Sequence, residues 1–320
     1  MTEEVISNPQ EVSISSSNKW GKGLSASEPT YIVAQSVLKT RLTTVWQWLP
    51  LAAEKSNENV EYVHQLRIAT RRAVEALRVF VKLIPEKTYQ DMRVRLRKIR
   101  LAADEARDWD ILAYLFSQGI ADLDCVVGKK VLEQIKVRRQ GAQQPIVDIY
   151  QELRAEKYYE WIDKLLEYVC SQRHRKFNRK FKGQAQRYLK TVLKKFFKAV
   201  DADLSNDEAL HNLRIRTKKL RYTMEIVAIA FEPAFRERLY PRMSLLQDFM
   251  GLVNDHVTTK ELFRDWVLKS QDTEQRLFLE GFLFAETRTL QELRQTFLAV
   301  WMPKEVARLW RQFRMYCGLP

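Results

Sequence analysis

The sequence is short of the residues that cross-link or interrupt a chain: three Cys, nine Gly and nine Pro among 320 residues. Cys125, Cys170 and Cys317 show neither paired spacing nor an even count, which argues against a disulfide framework or a cysteine-based zinc cluster and fits a reducing cytoplasm. No uninterrupted apolar run approaches the roughly 20 residues needed to span a bilayer. The opening MTEEVISNPQ lacks the basic start and apolar stretch of a secretory leader, so no membrane partner is expected. Acidic residues are in deficit too: 40 Asp and Glu face 54 Lys and Arg, a net charge of +14. Such an imbalance points to a polyanionic partner and says nothing about fold.

What is present is helical in pattern. Apolar residues make up 46% of the chain, ample for a packed core. Beyond residue 28, Ala, Leu, Arg, Lys and Glu dominate, and apolar positions recur every three or four residues. No segment alternates as a strand would, so an all-α fold is expected. Residues 1–28, rich in Ser, Asn and Glu, have the composition of a disordered tail and are set outside the fold.

The chain repeats itself. Val63–Arg72 (VHQLRIATRR) lies against Leu210–Lys219 (LHNLRIRTKK) at an offset of 147, and the same offset carries Arg107-Asp108 onto Asn254-Asp255. A third match, QSVLKTRL from Gln35 against QRYLKTVL from Gln186, sits at an offset of 151, as a shorter loop in the second half would produce. The periodicity predicts about four helices per half. Those of the first half are placed at 30–49, 58–84, 88–118 and 128–169, with a break near Pro145. Those of the second are placed at 178–201, 206–230, 234–269 and 273–315, with a break near Pro303. One helical domain over 29–316 follows, with halves at about 29–170 and 178–316.

The polar faces of these helices are nearly of one sign. At about 100° per residue, His64, Arg67, Arg71, Arg78 and Lys82 share a stripe opposite Leu66, Ala69, Ala73, Leu77, Phe80 and Ile84. The next helix adds Arg93, Arg97, Arg100 and Arg107 with one acid, Asp104. In the second half His211, Arg214 and Lys218 form the stripe, flanked by Arg221 and Tyr222. Solvated faces usually mix signs, because stacked like charges repel; a one-sign stripe needs a counter-anion. Ser244, Gln247 and Asn254 replace Arg97, Arg100 and Arg107, so the site should be asymmetric in charge. Of the basic run over 173–198, Lys190 and Lys194 are the better ligand candidates, lying on a helix that must pack beside that of His211.

Two Glu-x-x-His pairs, Glu61/His64 and Glu208/His211, have a spacing used in di-metal bundles. Arginines beside His64 repel a cation, however, and Ser205 with Glu208 reads as a capping box. No metal and no cofactor are expected. The stripes also lack a nucleophile or carboxylate cluster, so binding without catalysis is expected. Single-strand nucleic-acid sites add aromatic platforms, and here only Tyr222 is available, while Trp46, Trp48, Trp109 and Trp161 sit in core-like surroundings. A base-free polyanion is favoured; a nucleic-acid binder and a metal-dependent phosphohydrolase are the alternatives.

His64-x-x-Arg67-x-x-x-Arg71-Arg72 and His211-x-x-Arg214-x-x-x-Lys218-Lys219-Leu220-Arg221-Tyr222, followed by Arg107-Asp108 and Asn254-Asp255, resemble the CHAD family, the conserved histidine α-helical domains. The resemblance implies two duplicated four-helix bundles with pseudo-twofold symmetry around a basic central cavity that binds inorganic polyphosphate, and association with polyphosphate granules. It carries binding roles to His64, Arg67, Arg71, Arg72, Arg97, Arg100, His211, Arg214, Lys218, Lys219 and Arg221. No Glu-x-Glu-x-Lys signature precedes the domain, so a stand-alone, non-catalytic type is implied rather than one fused to a triphosphate-processing unit. Oligomeric state and chain-length preference do not follow from the sequence.

Overall fold

A computed structural model describes Trp20 and residues 23–119, 125–171, 179–301 and 304–317. Twelve α-helices are found among them, joined by short turns, and the one strand-like feature is an isolated bridge between Pro29 and Lys180. The fold is all-α. Among the described residues no helix is long and apolar enough to cross a membrane.

The first half runs α1 (Thr30–Glu54), α2 (Glu61–Val79), α3 (Glu86–Ala102), α4 (Asp104–Gly119), α5 (Val126–Gly141), α6 (Gln144–Ala155) and α7 (Tyr158–Ser171). The second runs α8 (Phe181–Val200), α9 (Asp207–Val227), α10 (Tyr240–Lys269), α11 (Thr273–Thr296) and α12 (Lys304–Cys317). Packing recurs between the halves. α1 lies on α2 as α8 lies on α9, α2 lies on α3 as α9 lies on α10, and α4 lies on α5 as α10 lies on α11. The halves meet where α2 packs on α9 and α4 on α10. One apolar core runs through both, and Leu66, Ala73, Leu77 and Phe80 of the expected inner face of α2 are fully buried within it. Each Leu or Phe so buried contributes roughly 1.5–3 kcal/mol, which fixes the opposite, cationic face toward the interface between halves.

Several boundaries differ from those expected. The helix placed at 88–118 breaks at Ala103, where Asp104 and Glu105 open a new first turn; acids are stabilised at a helix start by the exposed N–H groups. The helix placed at 128–169 breaks at Gly141–Gln143 ahead of Pro145, as expected, but divides a second time at Lys157, whose φ of 54° ends the helical path. In the second half a π-turn over Phe235–Leu239 precedes Pro241 near the start of α10, since proline offers no N–H to the preceding turn. Pro303 lies outside the described residues.

The start of the fold also moves. Phe181 and Lys182 donate backbone N–H groups to Glu28 and Ala26 at 2.9 and 3.1 Å, and Thr30 donates to Arg179 at 3.0 Å. Trp20 meets Tyr240 edge-on at 4.8 Å. Residues 26–28 therefore belong to the folded body; of the rest of the expected tail, residues 1–19 and 21–22 lie outside the described residues. Finally, α9 is capped by Asn206, whose Oδ1 accepts from the N–H groups of Glu208 and Ala209 at 2.8 and 3.4 Å. Ser205 turns instead to Asp203, so the expected capping box does not form.

Candidate anion-binding site

Two basins flank the line along which α2 packs on α9. The first, about 590 Å³, is lined by Arg71 and Arg78 of α2, by Arg93, Arg97 and Arg100 of α3, and by His211, Arg214, Arg216, Lys218 and Lys219 of α9. The second, about 510 Å³, is lined by His64, Arg67, Arg71, Arg72, Arg107, Arg214, Lys218 and Arg221, with Asp108, Asp248 and Asp255 among them. Arg71, Arg214, Lys218 and Tyr222 line both. They form a neck between the basins, built from both halves of the repeat.

The charge asymmetry expected from the sequence is visible here. α3 supplies three arginines to the first basin, whereas the matching stretch of α10 supplies Gln247, Asp248, Asn254 and Asp255 to the second. The single acid lining the first basin, Glu75, is buried; it accepts hydrogen bonds from Tyr188 and Thr223, each at 2.9 Å, and from Arg78 at 3.2 Å.

Crowding of cations in a partly dry site depresses their basicity, since burial and like charges both disfavour the charged form. Burial, with Arg71, Arg214 and Arg67 next in weight, brings Lys218 from the usual lysine range down to about 6. Burial, with Arg107, Arg67, Arg71 and Lys218, brings His64 down to about 3. Arg214 falls to about 10, again through burial first and Arg71 second; at neutral pH it keeps its charge. Burial likewise raises Asp108 and Asp255, against the pull of Arg67 on the former and of Arg214 on the latter. Arg67 reaches Asp104 at 3.0 Å and Asp108 at 3.7 Å, yet its Nε is buried without a hydrogen-bond partner, as is Nε of Arg214. Buried donors are nearly always paired; both of these side chains line the second basin.

Not every residue singled out from the sequence faces the basins in the same way. Arg72 lines the second basin but is committed to Glu225, at 2.8 and 3.1 Å. Arg221 is held by Glu225, Tyr240 and Gln247 at 3.3, 2.7 and 2.6 Å. These two shape the wall. Arg78 and Arg100 carry partners within their own turn or the next, Glu75 and Asp104. Tyr222 is 5% exposed, beneath the Arg221 guanidinium at 4.8 Å. Lys190 is half-buried and Lys194 exposed on α8, and neither lines a basin; the helix does pack on α9, but with its apolar face. Arg173, Arg175 and Lys176 lie outside the described residues.

Arg216 lines the first basin although sequence reasoning passed over it. It sits about 140° from His211 on the helical wheel, but one turn before Lys219, and that spacing was the available signal. Among the described residues no three His, Cys, Asp or Glu side chains gather into a metal-holding group.

A family model for the CHAD domain matches residues 36–264. The chain belongs to the CHAD family. A crystal structure of the CHAD domain from the plant Ricinus communis superposes with a TM-score of 0.67 at 19% identity, covering 89% of this chain and 97% of that one. PptA from Streptomyces chartreusis superposes with a TM-score of 0.58 at 16% identity, covering 85% and 99%. At such identities the likeness is one of fold. No curated protein sequence matches significantly. The matched region contains α2, α3, α4, α9 and α10 as far as residue 264, so the residues that line both basins lie within this CHAD domain.

Proposed function

We propose that this CHAD protein binds inorganic polyphosphate, without turning it over, along the groove formed by the two basins and their neck. The observation that carries the reading is the neck itself. Arg71 from one half and Arg214 and Lys218 from the other line one passage, and burial, together with repulsion from the two arginines, lowers the basicity of the lysine. A chain of phosphates relieves that repulsion at every step. Arginine offers planar, two-pronged contacts to phosphate oxygens and lysine a point charge. Successive phosphates add contacts, so affinity grows with chain length until the groove is filled.

The groove has one buried aromatic, Tyr222, and no stacking platform for successive bases. A base-free polyanion fits this lining better than a nucleic acid. The reading carries with it a cytoplasmic place at polyphosphate granules. The experiment is a parallel titration with size-defined polyphosphate, single-stranded DNA and RNA at fixed salt, with phosphate release followed in Mg²⁺ and Mn²⁺. Polyphosphate should bind most tightly and survive intact. Oligonucleotides binding as well as polyphosphate, or metal-dependent phosphate release, would overturn the proposal.

A further inference from the structure

Beside the basins lies a third cavity of different character, about 350 Å³, between the start of α9, the middle of α10 and the end of α11. Leu210, Met250, Val253, Val257 and Phe297 give it an apolar floor. Phe297 is 2% exposed and stacks on Phe249 at 5.7 Å with an interplanar angle of 21°, so the aromatic wall is held in place. Carboxylates of Asp207, Glu208 and Glu261 stand at the rim. His211 is shared with the first basin, and Arg214 with both. The cavity thus opens toward the neck.

Inorganic phosphate has no use for an apolar box of this kind. A flat heterocycle does: cavities of roughly 300–1,000 Å³ with apolar walls and a few polar groups are the usual small-molecule sites. Rim carboxylates are acceptors only and match the exocyclic amino groups of a nucleobase. The same carboxylates repel phosphate, whereas the side of His211 and Arg214 is shared with the basic groove and favours an attached phosphate chain. Arg214 and Arg294 both line the cavity, and the Nε of each is buried without a hydrogen-bond partner. The Arg294 guanidinium is fixed at its other end by Asp207 at 2.7 Å. Glu208, relieved of a capping role by Asn206, keeps its carboxylate at the rim.

We infer that this cavity takes the base of a nucleoside polyphosphate, whose phosphates run past Arg214 and His211 into the basic groove. The inference rests on the groove reading above and adds a ligand class to it. It is tested by calorimetric titration of the full chain with ATP, GTP and inorganic tripolyphosphate at one pH and salt, without divalent cations. Tripolyphosphate carries at least the charge of the nucleotides, so a groove that reads charge alone ranks it equal or first. The inference expects the better nucleotide to bind at least tenfold tighter than tripolyphosphate. Val257→Trp should fill the cavity and abolish that advantage while leaving tripolyphosphate affinity unchanged. Leu210→Trp, at a half-buried position, serves the same end if the first variant does not fold. Nucleotides binding no tighter than tripolyphosphate, or keeping their advantage in a folded filled-cavity variant, would overturn it. Loss of both tripolyphosphate and long-chain binding in the unaltered protein would instead remove the groove reading.

Discussion

Arg72 of α2 and Glu225 of α9 close a two-point ion pair across the interface between halves, Nε to Oε2 at 2.8 Å and Nη2 to Oε1 at 3.1 Å. Glu225 is fully buried and also meets Arg41 at 3.6 Å and Arg221 at 3.3 Å, so one carboxylate balances three guanidinium groups. Its pKa stays below the usual glutamate range because Arg72, Arg221 and Arg41 together outweigh the cost of burial. Glu75 repeats the device in the other direction, taking hydrogen bonds from Tyr188 and Thr223 of the second half. These two acids tie together halves whose facing polar surfaces are mostly cationic.

Removing the carboxylate should therefore be severe. Glu225→Ala takes the shared carboxylate away from Arg41, Arg72 and Arg221 and is expected to cost about 3–5 kcal/mol, the range for breaking a buried pair from one side. Arg72→Met should cost less, about 1–3 kcal/mol, because Glu225 retains two partners. Urea unfolding midpoints check both. Equal stability of Glu225→Ala and wild type would mean that the halves are held by apolar packing alone.

In the neck the expectation is reversed. Lys218 has a folded-state pKa of about 6 against an unfolded value of about 10.4. Between those values the unfolded chain holds the proton and the folded one does not, so this group makes stability rise with pH across the window. Lys218→Met should accordingly stabilise the ligand-free protein most below pH 6. Its advantage should shrink as pH rises toward 10. Thermal midpoints of both proteins over pH 5–9 measure this; a constant difference would place Lys218 in an ordinary solvated setting.

Fold class and stripes were legible because both rest on helical periodicity. Leu66, Ala73 and Leu77 are buried as their spacing requires, and His64, Arg67 and Arg71 face the groove opposite them. The exceptions depend on partners distant in sequence. Arg72 entered through the family motif and Arg221 as a neighbour of the stripe, but Glu225 claims both, and nothing in a one-dimensional pattern assigns an acid 153 residues away to Arg72. Lys190 and Lys194 were drawn in by the packing of α8 on α9, which holds, but their faces turn elsewhere. Local breaks such as Ala103 were missed because alanine is a strong helix former and the signal lay in the acids that follow it.

The division between groove and periphery predicts a sharp contrast in binding. Arg214→Ala removes a side chain that borders every cavity described above and should weaken long-chain polyphosphate by about 1–3 kcal/mol, as for loss of a charge-assisted hydrogen bond. Lys190→Ala and Lys194→Ala should change affinity little at physiological salt, since neither side chain lines the groove and salt screens charges that make no direct contact. A plot of log affinity against log salt should fall with a slope of several units for wild type, since several phosphates are neutralised at once. An Arg214→Ala protein that binds as tightly as wild type, or a wild-type slope near one, would rule out a multi-contact groove.

Binding should also take up protons, and Lys218 rather than histidine should set the range. From the sequence, His64 and His211 alone would be expected to strengthen binding as pH falls from about 8 to 6. In the folded protein His64 is held near 3 by burial and by Arg107, Arg67, Arg71 and Lys218, so a bound phosphate must raise it by more than three units before it titrates near neutrality. Lys218, near 6, needs only a modest rise to become charged at pH 7. The groups facing it are Arg71 and Arg67 of α2, Arg214 of α9 and Asp255 of α10, and a phosphate offsets the three arginines. Each phosphate complex formed at pH 7.5 is thus expected to take up about one proton. Affinity should decline with rising pH above 6, by at most about tenfold per unit for each proton linked. Calorimetry in buffers of different ionisation enthalpy counts the protons directly. Lys218→Arg, which keeps its charge throughout, should abolish most of the uptake while preserving affinity at pH 6, whereas His64→Gln should leave the uptake near its wild-type value. Uptake unchanged in Lys218→Arg and lost in His64→Gln would return the linkage to histidine.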